Sequence, residues 1–233
     1  MCRFIETVKL ENGIYKLIDY HNKRLNNTII NFFKKNPLKS ELIDIAKFLP
    51  SPAAAEFKKG IFKCRVVYSN KIESIEILPY IKKNIRRLKL VESNIDYSLK
   101  FENRDSINNL FNGLKFFKDK NHLNSFTNLS ANLPFKAHRN SFDSDYSDFD
   151  ILIVKKGLIT DTSYSNIILY DGKEWITPKS FLLNGVKRRY LLNNGIIREM
   201  NICLDDLKNF KKLSLINAML EPRDIEIDID NII

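Results

Sequence analysis

The feature that most constrains this chain is a succession of short alternating segments broken by two- or three-residue turns. Residues 4–10 alternate apolar with polar side chains, Glu11-Asn12-Gly13 follows, and residues 14–18 return. Residues 61–68 and 72–79 flank Ser69-Asn70-Lys71 in the same way, and Lys155-Lys156-Gly157 separates 151–154 from 158–162. Period-two runs joined by Asn- and Gly-containing turns read as antiparallel hairpins, because those residues tolerate the positive φ that tight turns need. Residues 166–170, 175–177, 196–202, 213–219 and 225–229 read as further strands.

Between the hairpins the period changes. Residues 19–34 carry Leu25, Ile29, Phe32 and Phe33 at helical spacing, with Asp19 placed to cap them. Residues 105–117 repeat the pattern through Ile107, Leu110, Leu114 and Phe117, and shorter helices are expected at 41–48, 185–193 and 204–210. Single helices among hairpins predict an α+β fold, as two small α/β domains with largely antiparallel sheets, 1–95 and 96–233. Residues 119–148, rich in Asn, Ser, Asp and Lys, read as a surface insertion in the second domain.

Composition narrows the classes of function. The 233 residues are 44% hydrophobic, enough to bury a core, yet no run reaches the ~20 apolar residues a membrane span requires. The first residues show no basic segment leading into an apolar stretch, so a cytoplasmic protein is expected. Cys2, Cys64 and Cys203, like His21, His122 and His138, lie too far apart to show metal-ligand or disulfide spacing. The net charge of +10 clusters weakly, at Lys82-Lys83-Asn84-Ile85-Arg86-Arg87 and at Lys187-Arg188-Arg189. A charge excess spread this thinly fits an anionic small molecule better than nucleic acid.

Three patches carry chemistry together. The first is His21-Asn22-Lys23-Arg24-Leu25, after Phe4-Ile5-Glu6-Thr7. The second is Lys100-Phe101-Glu102-Asn103-Arg104. The third runs from Gly157 through Asp161 to Asn166, followed by Leu183-Asn184-Gly185-Val186-Lys187-Arg188. In order and spacing they resemble the class IV aminotransferase family. These are the fold-type IV pyridoxal-phosphate enzymes, among them branched-chain and D-amino-acid aminotransferases and aminodeoxychorismate lyase. The resemblance spans most of the chain outside residues 119–148.

The resemblance implies pyridoxal 5'-phosphate as cofactor and assigns roles residue by residue. Lys100, in a Lys-x-x-Asn-Arg string similar to that of the lyase branch, would hold the cofactor covalently and act as the base. Asp161 stands where the family carries a glutamate facing the pyridine nitrogen. Arg24, from a His-x-x-Arg-Leu string, would meet the phosphate with its planar fork. Val186 and Lys187 occupy a turn similar to the family's Gly-Ile-Thr, where backbone amides open a helix toward the phosphate. Asn217 and Ala218 would close the phosphate cup, and Arg65, on a strand, would meet the substrate carboxylate.

The implied reaction is amino transfer to a keto acid. The alternative within the family is a lyase-type elimination that releases pyruvate. Outside it, Asp161 for glutamate and Lys187 for threonine leave open a non-catalytic relic or a basic nucleic-acid binder. Family likeness also implies a homodimer, in which Phe62, Tyr68, Tyr80 and Tyr97 would meet a second subunit.

Overall fold

The computed structural model describes residues 2–34, 42–116 and 148–233, with main chain only at residues 55 and 114–116. Its first half is a four-stranded antiparallel sheet ordered β2-β1-β3-β4, from β1 (Phe4–Glu11), β2 (Ile14–Tyr15), β3 (Ile61–Tyr68) and β4 (Ile72–Pro79). Glu11 pairs with Ile14, so Asn12 and Gly13 alone make the turn, with φ of 49° and 77°. That pair of positive values is what a two-residue hairpin of the right twist requires.

One face of this sheet is covered by α1 (Ile18–Phe33). Leu25 and Ile29 of α1 pack on Phe4, Val8, Cys64, Val66 and Tyr68. Each large aliphatic side chain buried there contributes roughly 2 kcal/mol. The helix starts one residue earlier than expected, and Leu17, in a left-handed conformation with φ 57°, takes the cap position. Asp19 instead lies in the first turn, where a negative charge still favours the helix dipole.

The second half holds two sheets. A three-stranded one is ordered β5-β6-β7, from β5 (Arg87–Glu92), β6 (Phe149–Lys155) and β7 (Leu158–Thr162). A five-stranded one is ordered β10-β9-β8-β11-β12. Its strands are β8 (Asn166–Tyr170), β9 (Trp175–Pro178), β10 (Arg198–Met200), β11 (Lys212–Ile216) and β12 (Glu226–Asp228). Leu88, Leu152, Ile159, Ile167, Leu213 and Leu215 form their common core. The α2 helix (Asp105–Phe116) sends Ile107 against Tyr97, Ile151 and Ile153, and α3 (Val186–Asn193) sends Leu191 against Ile168 and Ile216.

The mixed, mostly antiparallel architecture is the one expected, and the hairpins fall where the turns placed them. Some details differ, and one expectation falls outside the described residues. The segment 87–92, expected in the first half, pairs in parallel with β6 and so belongs to the second. The helices expected at 41–48 and 204–210 are 3-10 turns, Ile45–Lys47 and Leu204–Asn209, too short to have started a full α-helix. The insertion expected at 119–148 lies outside the described residues except for its last position. Among the aromatics expected at a subunit boundary, Tyr68 and Tyr97 are instead buried inside this chain, while Phe62 and Tyr80 are half-buried. Among the described residues no helix is long and apolar enough to cross a membrane.

One of the stitches between the two halves lies beside β1. Ile5 N donates to Lys100 O at 3.0 Å, and Glu102 N donates to Arg3 O at 2.9 Å, so residues 100–102 run alongside the start of β1.

Candidate active site

That stitch brings Lys100 to the floor of a cleft lined also by Arg24, Arg104, Asp161, Asn166 and Val186. Lys100 is partly buried, and its Nζ donates to Thr7 Oγ1 at 3.1 Å. Thr7 stands on β1 opposite Arg65 of β3, one residue beyond Glu6. Desolvation pushes the Lys100 ammonium down from 10.5 to about 7, and the charges of Arg24, Arg104 and Arg65 push the same way against the pull of Glu6. A large share of this amine is therefore free base at neutral pH. A surface lysine would be almost fully protonated.

Arg24 reaches the cleft from α1. Its Nε donates to Glu6 Oε1 at 2.7 Å and its Nη2 to Glu6 Oε2 at 2.5 Å. His21, one helical turn earlier on the same face, brings Nδ1 to 2.5 Å from Glu6 Oε2. Glu6 is fully buried, yet its carboxyl lies well below the usual range. Burial raises it, but the Arg24 charge and the hydrogen bonds from His21 and Arg24 outweigh burial. Burial holds the His21 imidazole below its ordinary value despite Glu6.

Asp161, at the end of β7, is 5% exposed and accepts three hydrogen bonds. Oδ1 takes Asn166 Nδ2 at 2.8 Å, and Oδ2 takes the backbone amides of Leu182 at 3.0 Å and Leu183 at 2.9 Å. Burial nevertheless lifts its carboxyl from 3.8 to about 6, and those donors only moderate the rise. Asn166 also donates to Leu183 O at 2.8 Å, so it ties β8 to the segment that leads into α3.

Gly185 precedes α3, and a Cβ there would stand 2.0 Å from Asn166 Oδ1. Glycine is needed at this position because the amide of Asn166 occupies the space of a side chain. Gly185→Ala should push Asn166 off Asp161 and cost about 1–3 kcal/mol. A lower denaturant midpoint with an unchanged slope would show it, and an unchanged midpoint would mean that Asn166 relaxes freely. At the start of α3 the first amides have no intrahelical acceptor, which leaves N–H groups at the edge of the cleft beside Val186.

The residues singled out in the sequence divide into two groups. Arg24, Lys100, Asp161, Val186, Asn217 and Ala218 line the cleft together. Asn217 Nδ2 donates to Ser165 Oγ at 2.9 Å, and its Oδ1 accepts from Met219 N and Leu220 N, so it shapes the turn after β11. Two side chains lie elsewhere. Lys187 donates to both carboxylate oxygens of Glu221, at 2.6 and 2.7 Å, and is not among the cleft-lining residues. Arg65 is also absent from the lining, and its Nη2 donates to Glu102 Oε1 at 2.8 Å.

Glu6, Thr7 and Arg104 lie within the sequence patches, but the sequence assigned them no role. Glu6 had a signal: on β1 it shares a face with Phe4, Val8 and Leu10, and a carboxylate in that apolar row needs a partner. Arg104 had none beyond its place in the lysine string. Its Nη2 donates to Ser163 O, its Nη1 donates to Tyr97 OH at 3.3 Å, and its guanidinium lies 4.1 Å from the centre of the Tyr164 ring.

Known proteins carry the same arrangement of chain. A protein of Haemophilus somnus 129PT, proposed to be a 4-amino-4-deoxychorismate lyase, is 30% identical and superposes with a TM-score of 0.73, over 94% of this chain and 97% of its own. A Mesorhizobium loti protein proposed to be an amino-acid aminotransferase shares the fold at 17% identity and a TM-score of 0.66, over 100% of both chains. An uncharacterised protein of Haemophilus influenzae Rd is 30% identical over 220 residues, 94% of this chain and 98% of its own length. The model of the amino-transferase class IV family matches residues 3–226. The chain therefore belongs to the class IV amino-transferases, a family that depends on pyridoxal phosphate.

Proposed function

We propose that this protein is a pyridoxal-phosphate enzyme that takes a proton from the carbon bearing a substrate amine, with Lys100 as the base. The observation that carries this reading is a lysine amine whose pKa burial lowers to about 7, in the same cleft as a buried carboxylate and the N-terminal end of α3. The residues fit the cofactor. Arg24 and the first amides of α3 would hold its phosphate, Lys100 its aldehyde carbon, and Asp161 its ring nitrogen. Among the described residues Asp161 Oδ1 accepts one hydrogen bond, so it keeps a lone pair for a ring N–H. Bound pyridoxal phosphate supplies a conjugated electron sink at the substrate amine. Asp161 holds the proton on the ring nitrogen, and Lys100 Nζ receives the proton from carbon.

Amino transfer and lyase-type elimination share that step and differ afterwards. Amino transfer asks Lys100 only to hand its proton on. Elimination that releases pyruvate also has to protonate a leaving group. The Thr7 hydroxyl, bonded to Lys100 Nζ, is a second proton carrier beside the base and favours elimination. The 30% identity to the Haemophilus somnus protein points the same way. A homodimer, common in the family, is part of the same proposal.

The test is direct. Protein loaded with pyridoxal phosphate should turn yellow, bleach with hydroxylamine, and release pyruvate and 4-aminobenzoate from 4-amino-4-deoxychorismate without an added keto acid. Yellow protein that acts only when both an amino acid and a keto acid are supplied would establish amino transfer instead. Colourless protein that takes up no cofactor would leave the non-catalytic reading standing.

A further inference from the structure

Glu6 has no part in the chemistry assigned above, yet it is among the most heavily invested side chains in the protein. It projects from β1 into a row of fully buried apolar residues, Phe4, Val8 and Leu10, where an isolated carboxylate would be neutralised rather than tolerated. Both oxygens are engaged. Oε1 accepts from Arg24 Nε, and Oε2 accepts from Arg24 Nη2 and sits against His21 Nδ1. Two parallel donors from one guanidinium fix its plane, which a single contact cannot do. Only Arg24 Nη1 has no hydrogen-bond partner among the described residues, and Arg24 lines the cleft. His21 completes the device from the other side. It is fully buried, its Nδ1 is given to Glu6, and its Nε2 has no partner among the described residues, so the one hydrogen bond its ring makes there is to the acid that grips the arginine.

We propose that Glu6 is a positioning residue for anion recognition: its two-point grip, backed by His21, aims Arg24 Nη1 at the phosphate of the cofactor. The inference rests on the reading of the cleft as a pyridoxal-phosphate site. Without the grip, Arg24 keeps its charge but gains torsional freedom. The phosphate would lose a directed bond while the ring and aldehyde contacts stay as they are. A purely structural acid would affect every ligand of the cleft alike.

Pyridoxal, which lacks the phosphate, separates the two cases. Binding of pyridoxal phosphate and of pyridoxal is followed by the absorbance of the lysine-linked chromophore in wild type, Glu6→Gln and Arg24→Lys. Glu6→Gln should weaken pyridoxal phosphate by about 30-fold, in line with a lost hydrogen bond to a charged group, and leave pyridoxal within about threefold of wild type. Arg24→Lys, which keeps the charge but cannot accept a two-point grip, should show the same selective loss even if Glu6→Gln folds poorly. Equal weakening of both compounds, or wild-type affinity for pyridoxal phosphate in Arg24→Lys, overturns the proposal. Wild-type protein that binds neither compound overturns the cofactor reading and this proposal with it.

Discussion

Lys100→Ala should lower turnover by about 10⁴-fold or more, because one side chain serves as both covalent anchor and base. The coloured, hydroxylamine-sensitive adduct should vanish while the fold remains. Borohydride reduction of the wild-type adduct followed by peptide mapping should mark Lys100, and a label on any other lysine would end the assignment. The ionisation of Lys100 adds a second readout that needs no substrate. Its folded-state value of about 7 lies below the ordinary 10.5, so the unfolded chain binds the extra proton. Stability of the unloaded protein is thus lowest below pH 7 and rises as pH climbs toward the unfolded value, by an amount of the order of a few kcal/mol. Lys100→Met, which cannot ionise, should melt higher than wild type at neutral pH and lose that pH slope. A slope identical in both proteins would mean that the lysine is not desolvated.

Asp161→Asn should reduce turnover by about 10²- to 10³-fold, the usual cost of removing one preorganised electrostatic partner from a reacting centre. Cofactor should still bind, since the amide occupies nearly the same volume. The sign of the stability effect is opposite to that of Lys100. Burial raises Asp161 to about 6, so its contribution is fully present below the unfolded value of 3.8 and is lost as pH rises through about 6. The full swing is about 3 kcal/mol, and Asp161→Asn should remove it from the pH profile of the unloaded protein. Unchanged turnover in this variant would reduce Asp161 to a residue that caps the amides of Leu182 and Leu183.

Much of this was legible in the sequence because the governing forces are local. Asn12-Gly13 can hardly do anything but turn, and Leu25 and Ile29 have only one face to bury. That Lys100, Asp161 and Arg24 line one cleft was legible through their neighbours, a pattern that runs across most of the chain. The two side chains outside the cleft lining were not legible for a different reason. Lys187 and Arg65 were assigned by type and position, but a charged side chain goes to the nearest opposite charge, and Glu221 and Glu102 come from distant parts of the chain. Position along a strand or helix is visible in a sequence, whereas the competing partner is not. The parallel pairing of β5 with β6 was hidden likewise, because residues 93–148 separate the two strands and no turn signal joins them.

The stitch between β1 and residues 100–102 has one more consequence. Lys100 is anchored through its own backbone to the first sheet, with Glu6 and Thr7. Asp161 and the start of α3 belong to the second half. A ligand that touches the lysine at one end and the carboxylate at the other would therefore act as a rivet between two plates, and its binding energy would oppose their separation.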